Sequence, residues 1–331
     1  MVIFSVVASR LYSKVIHSID AFEGFLYCVY HPPLDKMKVG SRCGYCLLHR
    51  GYNMIKLSTD DEEKRREAMI ALLRLMGENF NEATVPSILG AERGRLIAAI
   101  TGCEDPYLEQ KKEENRRALE ILPELENILG KMHDSEKLRA ACKMACLGNV
   151  IDYDVPGNNA NLGDALKLLD EPLYIEDTEK LKSLIKKGTN LLFLTDNAGE
   201  IALDTLLVKE LRRLGAYVTV AVKAGAPSLN DALMEDALMV GMDKAADKLI
   251  TTGAKAIGIR LDESPQWFID LYNNAEIILA KGMANWETMT ETPAPCPTLY
   301  LFRTKCEPVA RAVGAPEGES IAYLVEKGWK L

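Results

Sequence analysis

The chain has 331 residues, 48% hydrophobic and 27% charged, with a net charge of −8. That length supports about two domains with sizeable cores, and the acidic balance argues against a nucleic-acid surface as its main business. Eight scattered cysteines fit a reducing cytoplasm and not a secreted disulfide scaffold.

Residues 1–36 differ from the rest. MVIFSVVAS is too short to span a bilayer, is followed by Arg10 and Lys14, and has no basic stretch ahead of it. Pro32 and Pro33 then break the chain. We read this as an appended segment, with native translation beginning at Met37; a short extra strand or helix is the alternative.

Cys43-Gly44-Tyr45-Cys46 opens the next part, ahead of a helical stretch. The pair fits a redox site, half a metal site, or two small buried hydrophobes. Cys142 and Cys146, four apart on one helical face, would complete a tetrathiolate; plain core cysteines are the commoner outcome. From Thr59 to Cys146 the pattern is helix after helix, with a Thr59–Glu62 capping box and an Asp105-Pro106 helix start. The run KKEENRR (111–117) predicts a solvated helix face. Residues 37–147 therefore read as an all-helical domain, and 148–331 as an α/β domain. Between them, Asn149 and Asp152 are either turn chemistry or cleft-facing.

Leu191–Leu194 is a buried-strand pattern that runs into Asp196, Asn197, Gly199 and Glu200, then into the amphipathic IALDTLLVKELRRLG. Asn197 as N-cap with Glu200 as its N3 partner is the bland explanation. Asp196 beside Asn197 adds a second oxygen-bearing side chain, which suits a hard cation. Further strands are expected at Tyr217–Val222, Ala256–Arg260, Glu276–Ala280 and Thr298–Phe302. After the first of these, Ser228 or Asn230 is expected to cap a helix with Asp231 in its first turn. A cap explains one acid, but not the cluster of Asn230, Asp231 and Asp236. Lys281 ends a strand and Gly282 lets the backbone turn towards a ligand; a solvated strand end is the alternative.

No G-x-G-x-x-G, P-loop or G-x-S-x-G motif is present, and all four histidines (17, 31, 49 and 133) precede the α/β part. Dinucleotide, P-loop and Ser-His-Asp chemistry in that domain are thereby disfavoured or excluded. Carboxylates, carboxamides and one lysine at strand ends suit an oxygen-ligated divalent cation and a phosphate, hence phosphoryl-ester hydrolysis.

TDNAGE (195–200), SLNDALMED (228–236) and KGMANWE (281–287), in that order, resemble the metal-dependent damage-control phosphatases, formerly a domain of unknown function. CGYC and the set Asp105, Pro106, Tyr107 and Lys111 resemble the prokaryotic branch. The likeness runs from about Met37 to the C-terminus. It implies a helical domain beside a doubly wound, mostly parallel Rossmann-like sheet. It also implies Mg, Mn, Co or Ni held by Asp196, Asn197 and Asp231. Glu200 and Lys281 fall in the phosphate pocket, with Asn149, Asp152, Asn285 and Glu287 lining it. Catalytic roles then fall to Asp196, Glu200, Asp231 and Lys281: Lys281 balances phosphoryl charge and Glu200 or Asp231 accepts a proton. The expected substrate is a small phosphorylated metabolite, a sugar phosphate or a damaged one. The expected setting is cytoplasmic, without membrane or nucleic acid, and compatible with a homo-oligomer. The rivals are an S-adenosylmethionine-dependent carboxyl methyltransferase, which lacks a glycine-rich loop here, and a non-catalytic binder of metal or phospho-metabolite.

Overall fold

Alternation along the apolar strands decides the architecture. Leu191 and Phe193 point to one face of a sheet, and Leu192 and Leu194 to the other. Both faces are therefore buried, and both need a layer of helices. The computed structural model describes residues 37–147, 169–226 and 229–331.

Among the described residues five helices come first: α1 (Ser41–Ser58), α2 (Glu62–Asn79), α3 (Pro86–Thr101), α4 (Leu108–Lys131) and α5 (Asp134–Leu147). The α/β part follows as β1 (Ile175–Glu176), α6 (Thr178–Leu184), β2 (Asn190–Leu194), α7 (Glu200–Arg213), β3 (Tyr217–Val222), α8 (Met234–Met239), α9 (Met242–Ala245) and β4 (Lys248–Thr251). It continues as α10 (Gln266–Asn273), β5 (Ile277–Lys281), α11 (Gly282–Met289), β6 (Thr298–Arg303), α12 (Glu307–Val313) and β7 (Ser320–Val325). The seven strands lie in the order β1-β7-β6-β5-β2-β3-β4. All neighbours are parallel except β6 and β7. A mostly parallel, doubly wound sheet after an N-terminal helical region is thus the fold.

One face of the sheet carries α4 to α9, the other α10 to α12. The helical region is shared between two cores. Leu47, Met54, Leu72, Met76 and Ile97 of α1 to α3 make their own cluster, whereas Leu125 of α4 and Leu138 and Met144 of α5 join the sheet core. The described residues accordingly form one compact unit. No helix among the described residues is long and apolar enough to cross a membrane.

Two local expectations change. Ala256–Arg260 is a loop: Lys248–Thr251 takes the place beside β3, and the loop packs on α11 instead, with Gly258 against Ala284 and Thr288 and Ile259 N–H donating to Thr288 Oγ1. An apolar run of five residues is buried either way, so periodicity does not separate the two outcomes. Helix α2 is capped by Asp61, whose Oδ1 accepts from the N–H groups of Glu63 and Lys64, and Thr59 supports Asp61 from one step further out.

Candidate functional site

The chain runs outward from β2 through β3 to β4, then returns to lay β5 on the other side of β2. The loops leaving β2 and β5 therefore diverge at the carboxyl edge, where open α/β sheets hold ligands. Asp196 and Asn197 lie just beyond β2, Gly282 just beyond β5. Asp231 lies on the loop after β3 and is brought alongside by backbone pairing. Ala198 N–H donates to Asn230 O and Ala232 N–H to Asp196 O, both at 2.8 Å, around an antiparallel bridge between Asn197 and Asp231.

This pairing replaces both capping explanations. Helix α7 starts at Glu200 with Gly199 at its N-cap and no side-chain cap, so Asn197 and Glu200 form no capping box. Asn197 Nδ2 donates instead to Asp196 Oδ2 at 3.0 Å. Helix α8 starts at Met234, after Asp231, and Asp236 Oδ2 caps it by accepting from Leu233 N–H. Gly282, at φ +79°, presses its backbone onto Asp196; a Cβ there would lie 2.1 Å from the carboxylate. Only glycine allows that approach.

The electrostatics are those of carboxylates held together out of water. Burial raises the pKa of Asp196, and Glu200 and Asp231 raise it further. Burial pushes Asp231 up to about 6 against the opposing fields of Lys223 and Lys111. Both Asp231 carboxylate oxygens are buried with no hydrogen-bond partner among the described residues. Native carboxylates are seldom left so, and two adjacent acids plus a carboxamide oxygen are a donor set suited to a hard divalent cation. No three His, Cys, Asp or Glu side chains among the described residues gather as a metal cluster; the set here is two carboxylates and Asn197.

Lys281 stands elsewhere than the phosphate pocket expected for it. It is fully buried, and its three N–H bonds go to Asp204 Oδ1 at 2.6 Å, Ala145 O at 2.9 Å and Glu200 Oε1. Burial works against its charge, yet Asp204 and Glu200 more than offset this and raise its pKa. Its donors are thus spent on protein, and Glu200 is likewise occupied on one oxygen. Asn285 is also buried as a strut, donating to Lys281 O and Thr195 O and accepting from Lys223 Nζ. Glu287 does face the cavity. Its Oε2 accepts from Ser87 N–H at 2.9 Å, and burial pushes its pKa to about 7. Asn149 and Asp152 lie outside the described residues.

A cavity of about 220 Å³ opens beside Asp196 and Asn197. Arg50 and Lys305 line it with positive charge, and Leu47, Ile257 and Met283 with apolar surface. Cys43, Cys46 and Cys306 share one rim, while Cys142 and Cys146 are buried in the sheet core, so no tetrathiolate forms. Burial raises the pKa of Cys43, and that of Cys306 to about 12, which keeps both as thiols.

Three groups escaped the sequence. Lys223 ends the buried run VTVAV just as Lys281 ends IILA, and its ammonium lies in the field of Asp231 and Asp196. Asp204 sits one turn after Glu200 on the apolar side of α7, a charge at a core position that signals a buried partner. The run KKEENRR is only half solvated: Lys111, Glu114 and Asn115 are buried against the site loops, and Lys112, Glu113, Arg116 and Arg117 are outside.

Residues 39–321 match the model of the damage-control phosphatase ARMT1-like domain. The chain belongs to this family. A damage-control phosphatase of Archaeoglobus fulgidus is 38% identical over 294 residues, covering 88% of this chain and 100% of the relative. Damage-control phosphatase PH1575 of Pyrococcus horikoshii is 32% identical over 284 residues, covering 85% and 96%. The crystal structure of that DUF89 family protein superimposes with a TM-score of 0.75, over 88% of this chain and 99% of its own. Within the damage-control phosphatase family, then, the three α/β motifs of this chain converge at one strand edge, and the helical region supplies the buried face of α4 beneath it.

Proposed function

We propose that this chain is a metal-dependent phosphomonoesterase of the CxxC-containing branch, acting on small phosphorylated metabolites. The observation that carries this is Asp231, whose two carboxylate oxygens are buried without partners beside Asp196. Asp196, Asn197 and Asp231 would hold one divalent cation, Mg, Mn, Co or Ni. Such an ion supplies Lewis-acid polarisation of the phosphoryl group and lowers the pKa of water. Arg50 and Lys305 draw the anionic ester into the cavity. Glu287, poised near neutrality, can exchange a proton with water or the leaving oxygen at pH 7. Lys281 and Glu200 act from behind, as a buried pair that steadies the start of α7. The apolar wall of Leu47, Ile257 and Met283 admits a small organic leaving group.

Phosphate release from an aryl phosphate, run beside calorimetric titration with Mn²⁺, tests the assignment. Wild type should release phosphate only with metal, and Asp196→Asn or Asp231→Asn should lose metal binding and turnover together. Undiminished hydrolysis after chelation, or normal Mn²⁺ binding by Asp231→Asn, would overturn it.

A further inference from the structure

Helix α4 belongs to the helical region, yet one turn of it touches every segment that forms the candidate cation site. Asn115 is fully buried. Its Oδ1 accepts from Gly199 N–H at 2.7 Å, and its Nδ2 donates to Asp236 Oδ1 at 2.7 Å. The amide orientation is thereby fixed, since a backbone N–H needs the oxygen and a carboxylate needs the NH₂. Gly199 is two residues beyond Asn197. Asp236 caps α8 and so anchors the far end of the loop that carries Asp231. Next to Asn115, Glu114 accepts from Asn230 Nδ2 at 3.3 Å and from Gln110 at 2.9 Å. Lys111 bridges Asp105 at 2.7 Å and Asp236 at 3.6 Å.

The β2 and β3 loops are thus tied to each other by backbone pairing and to α4 by side chains. Backbone pairing sets their register, but a two-residue bridge can still shear or open. The contacts from Asn115 brace it at both ends with buried hydrogen bonds, which are costly to break without replacement. We propose that Asn115 is a positioning residue that sets the spacing between Asp196–Asn197 and Asp231 required to share a divalent cation. This rests on the cation site proposed above. A group that serves only the core would lower stability on removal and leave the ion affinity of the folded protein unchanged.

The test is a charge-exchange cycle read by Mn²⁺ titration, at a temperature well below unfolding of every variant. Asn115→Asp still accepts from Gly199 N–H but sets a carboxylate against Asp236. Asp236→Asn leaves two amides competing for one acceptor. The double variant keeps the bond from Gly199 N–H and restores the 115–236 bond in reversed polarity: the carboxylate now at position 115 accepts from Gly199 N–H and from the amide introduced at position 236, whose oxygen still accepts from Leu233 N–H. Each single change should weaken Mn²⁺ binding about tenfold or more, the scale of one orphaned buried hydrogen bond. The double variant should return to within about threefold of wild type, the signature of direct coupling. Single variants that stay folded and bind Mn²⁺ as wild type does overturn the positioning role. A double variant as weak as the worse single change overturns it too. Should Asn115→Asp not fold, Asp236→Asn against wild type carries the same comparison. Absence of Mn²⁺ binding by wild type itself overturns the underlying cation site, a failure distinct from either.

Discussion

Replacing Lys281 with Met keeps most of the side-chain volume and removes only the ammonium. Three acceptors then lose their donor: Glu200 Oε1, Asp204 Oδ1 and Ala145 O. Glu200 Oε2 and Asp204 Oδ2 are already buried without partners, so nothing nearby compensates. Breaking a buried pair from one side costs about 3–5 kcal/mol, which corresponds to a fall in Tm of roughly 6–20 °C at about 2–4 °C per kcal/mol. The loss must depend on pH. Burial already pushes Asp204 up to about 7, and without Lys281, which holds it down, its folded-state pKa rises further above its unfolded value. A raised acid contributes stability that is complete below its unfolded pKa and disappears as pH rises through the folded one. The variant should therefore approach wild type near pH 5 and fall increasingly behind once pH passes about 7, so that the deficit is larger near pH 8. Urea unfolding at both pH values, with metal chelated, reads this directly. Asp204→Asn, which keeps an acceptor but removes the surplus charge, should cost far less than Lys281→Met. A Lys281→Met variant within about 1 kcal/mol of wild type near pH 8, or a deficit equal at both pH values, would refute the buried-triad account.

The acid facing the cavity offers an independent check. Glu287 rises from its ordinary value to about 7 through burial, so its charge opposes folding by up to about 3 kcal/mol once ionised. Glu287→Gln should match wild type in stability near pH 5 and exceed it near pH 8; a gap that shrinks with rising pH would contradict this. The same variant should also lower phosphate release, because no proton can be exchanged there. At the cavity rim, Cys43→Ser with Cys46→Ser should lower stability, since Cys43 is buried, and leave turnover of the folded fraction within about twofold of wild type. Lost turnover in a protein that still folds would bring the thiols into the chemistry.

Much of the site's outline was legible in the chain. The strand runs ending in Asp196–Asn197 and in Lys281, and the Asn230–Asp231 cluster after Tyr217–Val222, all reach the same sheet edge, and the fold class followed from their alternation with helices. Such signals are local: a buried strand writes its apolar run and its polar exit in consecutive residues. What the sequence alone did not determine is which partner each polar group meets. Lys281 was legible as a strand end, but its acceptors lie 77, 81 and 136 residues away, and only packing turned it from the expected phosphate ligand into the centre of a buried triad. KKEENRR has the composition of a solvated face, yet a helix lying against two loops buries one side of it, and composition does not say which side. Ala256–Arg260 and Lys248–Thr251 competed for the place beside β3, and the sheet's hydrogen bonding chose the less apolar of the two. The chain by itself determines what a residue can offer; the tertiary structure decides who receives it, because desolvation and pairing depend on groups far apart in the chain.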